Sequence, residues 1–407
     1  MNKIIFYKTS IFFSLLSINL LIYIADLVAV DRSLVTVLLS FTCSTVLLVI
    51  YLFTEKNIVQ LPVRAYYFIL FVIFSILIPL VASIFLNAIT EYTATIMRFI
   101  SYITFMYLVY ALSINNYIKF KDIYNVFCVL VLICLFFGVI QIVTGNLVNM
   151  NQADRLSSIY GRTPAGFALL MLLTSSFFYG CFFSKNLSVN KTLLFFFFFV
   201  SMIMMILTHS RQALFTLFVV MFFLHWLKGG RILKLFVIIF LFAILFLFFY
   251  IAMNTELLPR IAILLTSGFT DNSSQTRLAI IENSLANFSG INQLLGIGLG
   301  GFNHFYKDIS GELGVAAHND YLLFFIEGGI LSFLCFIIIT FYGLFYFLKK
   351  VKQLDIFYVP LAVFLSISLL SFLNNPLYYV QTQVLTFAVY GFFIAQNNND
   401  FQLSGTK

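Results

Sequence analysis

Apolar runs about 20 residues long recur along nearly the whole chain, and this length matches a bilayer hydrocarbon core of roughly 30 Å. Backbone placed in hydrocarbon finds no water, so each run must satisfy its own N–H and C=O groups as a helix. A membrane barrel would show shorter, alternating segments. Only 9% of the 407 residues are charged and 62% are hydrophobic, whereas a soluble domain carries about 25% charged residues. The expected fold class is an all-α polytopic membrane protein with about twelve transmembrane helices. The spans are expected near 10–30, 34–53, 66–86, 95–114, 123–143, 163–183, 191–208, 212–227, 233–253, 319–348, 355–374 and 377–396. The run at 11–30 is too long for a signal-peptide core, and no small-residue cleavage site follows it, so it reads as an uncleaved first span.

The net charge of +8 is mostly a topology signal, and no nucleic-acid partner is implied. With both termini inside, fifteen of the 23 basic residues fall in cytoplasmic segments, seven fall outside and Arg98 lies within a span. The inverted arrangement would break the positive-inside rule in nearly every loop. The external seven are Arg32, Arg155, Arg162, Arg211, Arg260, Arg277 and Lys307. Arginine offers a rigid fork to phosphate or carboxylate, whereas lysine is a solvated point charge. That bias suits anion recognition; pairing with nearby Asp and Glu is the other reading of the same residues. The five cysteines all fall inside expected spans with no CxxC pair, which suggests apolar filler rather than zinc or disulfides.

Three stretches follow: helices one to nine over 1–253, a large external loop with amphipathic helices over 254–318, and helices ten to twelve with a short cytoplasmic tail over 319–407. Loops longer than about 12 residues tend to be functional or disordered, and this one is not of low complexity. Asp271-Asn272-Ser273-Ser274 supplies N-cap candidates, after which Leu278, Ile281, Leu285 and Phe288 share one face at helical spacing. Pro259 marks a second short helix through Ile261 and Leu264. The glycines at 296, 298, 300 and 301 lie outside the strand–turn–helix context of a dinucleotide fingerprint, and read better as a tight turn feeding span ten.

Chemistry concentrates on the outer face. Arg211 lies in the tight turn Thr208-His209-Ser210-Arg211, Arg277 on the loop helix, and Arg155 and Arg162 before span six. His318-Asn319-Asp320-Tyr321 opens span ten, where a helix N-terminus favours anions. Arginines and a histidine of near-neutral pKa suit transfer from a lipid pyrophosphate: the forks hold the phosphates and the imidazole takes a proton from an incoming hydroxyl. No DxD or DDxxD motif is present on this face, so the expected transfer uses no metal and no cofactor. Alternatives stay open: the 318–320 segment as a helix cap, Glu327 as a buried structural carboxylate, and Arg98 with Asp26 as an intramembrane pair.

The segments LGIGLGGF at 295–302 and AHNDYLLFFIEGGI at 317–330, with Arg277 upstream and the Ser210-Arg211 turn, resemble the O-antigen ligase and polymerase superfamily. The resemblance implies a GT-C-like, all-helical glycosyltransferase of the bacterial inner membrane with a periplasmic site. Its substrate would be an undecaprenyl-pyrophosphate-linked oligosaccharide, and a chain-length-regulating co-polymerase stays open as a partner. It assigns the catalytic role to His318 and phosphate binding to Arg211 and Arg277, more weakly to Arg155 and Arg162, with Asn319, Asp320, Tyr321, Glu327 and Arg98 in support. A polymerase is favoured over a ligase or a protein O-oligosaccharyltransferase; a transporter or flippase is the competing class.

Overall fold

The computed structural model describes residues 3–27, 32–55, 59–85, 92–150, 153–160, 163–185, 187, 189–230, 272–312 and 315–404. Span nine, the loop through Asp271 with Pro259, Ile261 and Leu264, and Arg162 lie outside the described residues, as does the side chain of Asp26. The helices in chain order are α1 (Lys3–Leu27), α2 (Arg32–Thr54), α3 (Val63–Phe85), α4 (Tyr92–Ile114) and α5 (Phe120–Val143). A hairpin follows, β1 (Val148–Met150) with β2 (Ala153–Arg155), then α6 (Pro164–Phe183), α7 (Lys191–Leu207) and α8 (Arg211–Lys228). After them come α9 (Asn272–Asn287), α10 (Asn292–Leu295), α11 (Phe302–Ser310), α12 (Asp320–Val351), α13 (Tyr358–Ser371) and α14 (Val380–Ser404). Among the described residues, seven helices are long and apolar enough to cross a membrane. The protein is an all-α polytopic membrane protein.

The chain divides into two compact units that interleave in sequence. One holds Met1–Leu130, Ile281–Lys349 and Ser371–Lys407; the other holds Val131–Ile280 and Lys350–Leu370.

In the first unit α4 and α14 form the most extensive helix pair, with α2 against α4 next. Tyr102 of α4 stacks on Phe387 of α14 with ring centroids 5.4 Å apart, and Phe105, Val109, Val384 and Val389 on these helices are wholly buried. Close approach depends on Gly391, where an added Cβ would lie 2.1 Å from the carbonyl oxygen of Met106. In lipid no hydrophobic force draws helices together, so packing at small residues holds such a pair. At one end, Lys3 pairs with Glu55 at 3.2 Å and Lys8 with Asp122 at 3.0 Å.

In the second unit α6 is enclosed along nearly its whole length and packs against α7 and α8. Hydroxyls bond across its faces, Ser175 to Ser201 at 2.9 Å and Ser366 to Ser176 at 2.5 Å. Gly180 lets the start of α13 approach, since a Cβ there would sit 2.7 Å from the Val359 Cα. Tyr179 meets the His225 ring at 2.6 Å, which gives that histidine a packing role. All five cysteines are free thiols within helices.

Two expectations change. The glycine-rich segment 296–301 leads into α11, not directly into span ten. Of the expected apolar face of α9, Phe288 is buried but Leu278 and Leu285 stay exposed at 51% and 48%. The inward stripe runs through Ile280, Ser284 and Phe288 instead. Both stripes have helical spacing, so periodicity alone could not choose between them.

Replacing Gly391 with Val is expected to shift the Met106 backbone and cost about 1–3 kcal/mol. A lower unfolding midpoint of the detergent-solubilised protein, with Gly230→Ala unchanged as control, would show it; no Cβ contact awaits at Gly230.

Candidate active site

The first unit brings together His318, Asn319, Asp320, Tyr321, Glu327 and Arg98. α12 starts where Asn319 caps it: its Oδ1 accepts the Leu322 N–H at 3.0 Å, the usual way to satisfy an orphan donor of a first turn. The same side chain donates through Nδ2 to the Phe372 carbonyl at 3.2 Å. Asp320 is wholly buried and accepts from the Ser371 hydroxyl at 2.9 Å, the Asn375 amide at 3.2 Å and the Leu377 N–H at 3.4 Å. A helix N-terminus also favours its charge. These bonds pin the head of α12 to the connection between α13 and α14. His318, immediately before, is half-buried and held in the left-handed region at φ 52°. A non-glycine residue kept there marks stored strain, which clusters at functional sites. Tyr321 is packing: its ring stacks on Phe372 at 4.0 Å and meets Phe336 edge-on at 4.9 Å.

α12 is broken at Gly329, with φ 64° and ψ −170°. Such a break strips the carbonyls of the preceding turn of their helical N–H partners. Two of them are satisfied from outside the helix: Ile326 accepts the Ile297 N–H and Glu327 the Gly298 N–H, each at 3.0 Å. Leu299 N–H donates to the Ser83 hydroxyl at 2.7 Å. Glycine is required on both sides of this seam. A Cβ on Gly296 would fall 2.1 Å from the Glu327 carbonyl oxygen, and one on Gly329 would fall 2.3 Å from that of Leu294. Both also have positive φ, which glycine alone adopts without strain. The glycine run is thus a clasp holding the loop to α12.

The Glu327 side chain closes the clasp. Glu327 is 4% exposed, and its carboxylate lies 3.4 Å from the Phe302 N–H and 3.4 Å from the Tyr378 hydroxyl. Burial, and after it the nearby Glu327 carboxylate, hold that hydroxyl far above the usual phenol range, so it remains a donor. The Arg98 guanidinium lies over the other part of the same ring, 4.8 Å from its centroid. Its Nε is buried with no hydrogen-bond partner among the described residues. Glu327 and Tyr378 border a small, partly open recess of about 10 Å³, otherwise lined mainly by apolar side chains such as Phe99, Leu323 and Phe324.

In the second unit Arg211 is the first residue of α8, after Ser210. The preceding turn carries His209 at φ 53°. Arg155 is buried, and its Nε donates to the Thr208 carbonyl at 2.7 Å, while Leu156 N–H donates to Leu207 at 3.0 Å. Arg155 therefore braces the Arg211 turn. Arg277 is half-buried on α9.

Sequence reasoning did not single out Ser83, Ser371, Asn375 or Tyr378. Asn374-Asn375-Pro376 was the available signal, a polar turn between two apolar runs.

An all-helical membrane protein whose polar side chains gather at the head of one broken helix is the class this fold defines. Residues 195–337 match the family model described as O-antigen ligase, which supports, over that segment, the resemblance to the O-antigen polymerase and ligase superfamily. The matched segment includes the clasp, His318, Asp320, Glu327, Arg211 and Arg277. No curated protein matches the chain. The match supports glycosyltransferase-like chemistry of the polymerase or ligase kind, which in that family acts on a lipid-linked oligosaccharide in a membrane.

Gly296→Ala and Gly329→Ala are each expected to lower the detergent unfolding midpoint by the equivalent of about 1–3 kcal/mol. Asp320→Ala, which strands buried donors, is expected to cost a similar ~1–3 kcal/mol, with Asp320→Asn recovering part of it in the same measurement.

Proposed function

We propose that the chain is a surface-polysaccharide polymerase. It transfers a growing glycan from undecaprenyl pyrophosphate onto the next lipid-linked repeat unit, at the periplasmic face of the bacterial inner membrane. The reading rests above all on His318, a strained histidine anchored through Asn319 and Asp320 and lying inside the segment matched to the family.

The acceptor hydroxyl enters beside His318, which takes its proton as the oxygen attacks the anomeric carbon. The bond from that carbon to the pyrophosphate oxygen breaks in the same displacement, so the configuration inverts. Arg211 and Arg277 receive the departing pyrophosphate, which needs bidentate donors rather than a proton. Arg155 holds the turn from which Arg211 projects. With arginines carrying the leaving-group charge, the step needs no metal. Asn319, Asp320 and Glu327 keep the histidine and the loop in place, which is how a group outside the reacting atoms contributes to rate.

A ligase, which would deliver the finished glycan to the lipid A core, is the second reading, and the description of the matching family favours it. Glycan ladders from a deletion strain separate the two. One repeat unit on lipid A core, with long ladders restored by the wild-type gene, is expected for the polymerase. Long chains accumulating on the carrier would mean ligase. His318→Ala is expected to lower transfer by about 10²–10⁴-fold, the usual share of a general base. A normal ladder from an expressed His318→Ala protein would remove the histidine from the mechanism.

A further inference from the structure

α12 is too long for a single bilayer crossing. Its 32 residues span about 48 Å at 1.5 Å per residue, against a hydrocarbon core of roughly 30 Å. Lys349, Lys350 and Lys352 mark its C-terminal end, and lysines there anchor at the headgroups. Counting about 20 residues back from Lys349 reaches Ile330, next to the break at Gly329. A crossing by 330–351 would put the break at the far hydrocarbon boundary. The stretch 320–328 then stands beyond it, where the buried carboxylates of Asp320 and Glu327 cost least.

α10 sits at the level of that boundary, because its backbone touches the break: a Cβ on Gly329 would lie 2.3 Å from the Leu294 oxygen and 2.7 Å from the Leu295 nitrogen. None of its residues is buried. Ile291, Leu294 and Leu295 are exposed at 68%, 47% and 40%. On the spanning half of α12, Leu331 and Leu334 are exposed at 42% and 46%. Apolar side chains at and just before α10 are thus exposed beside the break, as Leu331 and Leu334 are on the helix that follows it. The neighbouring α11 differs, burying Phe302 and Tyr306 while exposing Lys307 and Asp308.

We propose that α10 is a membrane-inserted wedge: acyl chains of the leaflet at the site end of α12 cover Ile291, Leu294 and Leu295. The glycine clasp thereby works at the hydrocarbon boundary, with the loop that carries the site anchored in lipid. This inference stands independently of which glycan is transferred.

The chain has a single tryptophan, Trp226, so a Trp226→Phe background is dark. Ile291→Trp, Leu295→Trp and, as control, Lys307→Trp are placed separately in that background in the full-length protein. Each is reconstituted in phosphatidylcholine vesicles brominated either near the headgroup end or near the middle of the acyl chains. At positions 291 and 295, emission is expected to fall by about half or more, with headgroup-end bromines quenching more strongly, as an interfacial helix about 5–10 Å deep requires. Position 307 is expected to stay unquenched. Unquenched emission at both 291 and 295 would overturn the proposal. A water-like spectrum would then mean an exposed loop, and a blue-shifted spectrum that changes with protein density would mean that a second copy covers the helix. Ile291 is the safest substitution, being 68% exposed, so the test does not depend on how Leu295→Trp folds.

Discussion

The break in α12 and the glycine clasp that fills it support everything around the candidate site. A broken membrane helix leaves carbonyls without partners, and an unpaired buried carbonyl costs about 1–3 kcal/mol. Here Ile297 and Gly298 supply the missing N–H groups. They reach the helix backbone because Gly296 and Gly329 carry no side chains at the contact. Glu327 adds a buried carboxylate that reads the next part of the loop, the Phe302 N–H, and the Tyr378 hydroxyl from a different connection. Neither the loop nor the broken helix would be satisfied alone.

The head of α12 is built on the same logic with side chains in place of backbone. Asn319 caps its own helix and holds the Phe372 carbonyl; Asp320 gathers three donors from 371–377. Such a carboxylate would be costly in hydrocarbon and is tolerable when fully hydrogen-bonded. The strain at His318 is sustained by this over-determined neighbourhood. In the second unit Arg155 does the equivalent for the Arg211 turn by bonding the Thr208 carbonyl.

Much of the fold was legible because a bilayer imposes a length and a composition on each segment. Hydropathy found α12 but could not show its break: Glu327-Gly328-Gly329 reads as a polar interruption, and the loop's approach at Leu294 explains the glycine at 329, while a Cβ on Gly328 would meet Ser332. His318, Asp320 and Glu327 stood out as ionisable groups at a helix mouth. Their partners did not, since Ser371, Asn375 and Tyr378 are ordinary residues of a turn some 50 positions later in the chain. For Arg155 nothing in the sequence signalled the bond from its Nε to the Thr208 carbonyl, a partner 53 positions away. On α9, two stripes of equal spacing hid which one turns inward.

That separation along the chain has a consequence for biogenesis. Ser371, Phe372, Asn375 and Tyr378 follow α12 in the chain, so they join its head only after α12 itself has been made. Until they arrive, Asp320 has none of these donors, Asn319 has no Phe372 carbonyl to hold, and Glu327 lacks the phenol. Asn319 and Asp320, next to the histidine, therefore gain these partners only once 371–377 has packed against the head of α12. The family-matched segment ends at residue 337, so the partners that fix the head of α12 lie beyond it in the chain.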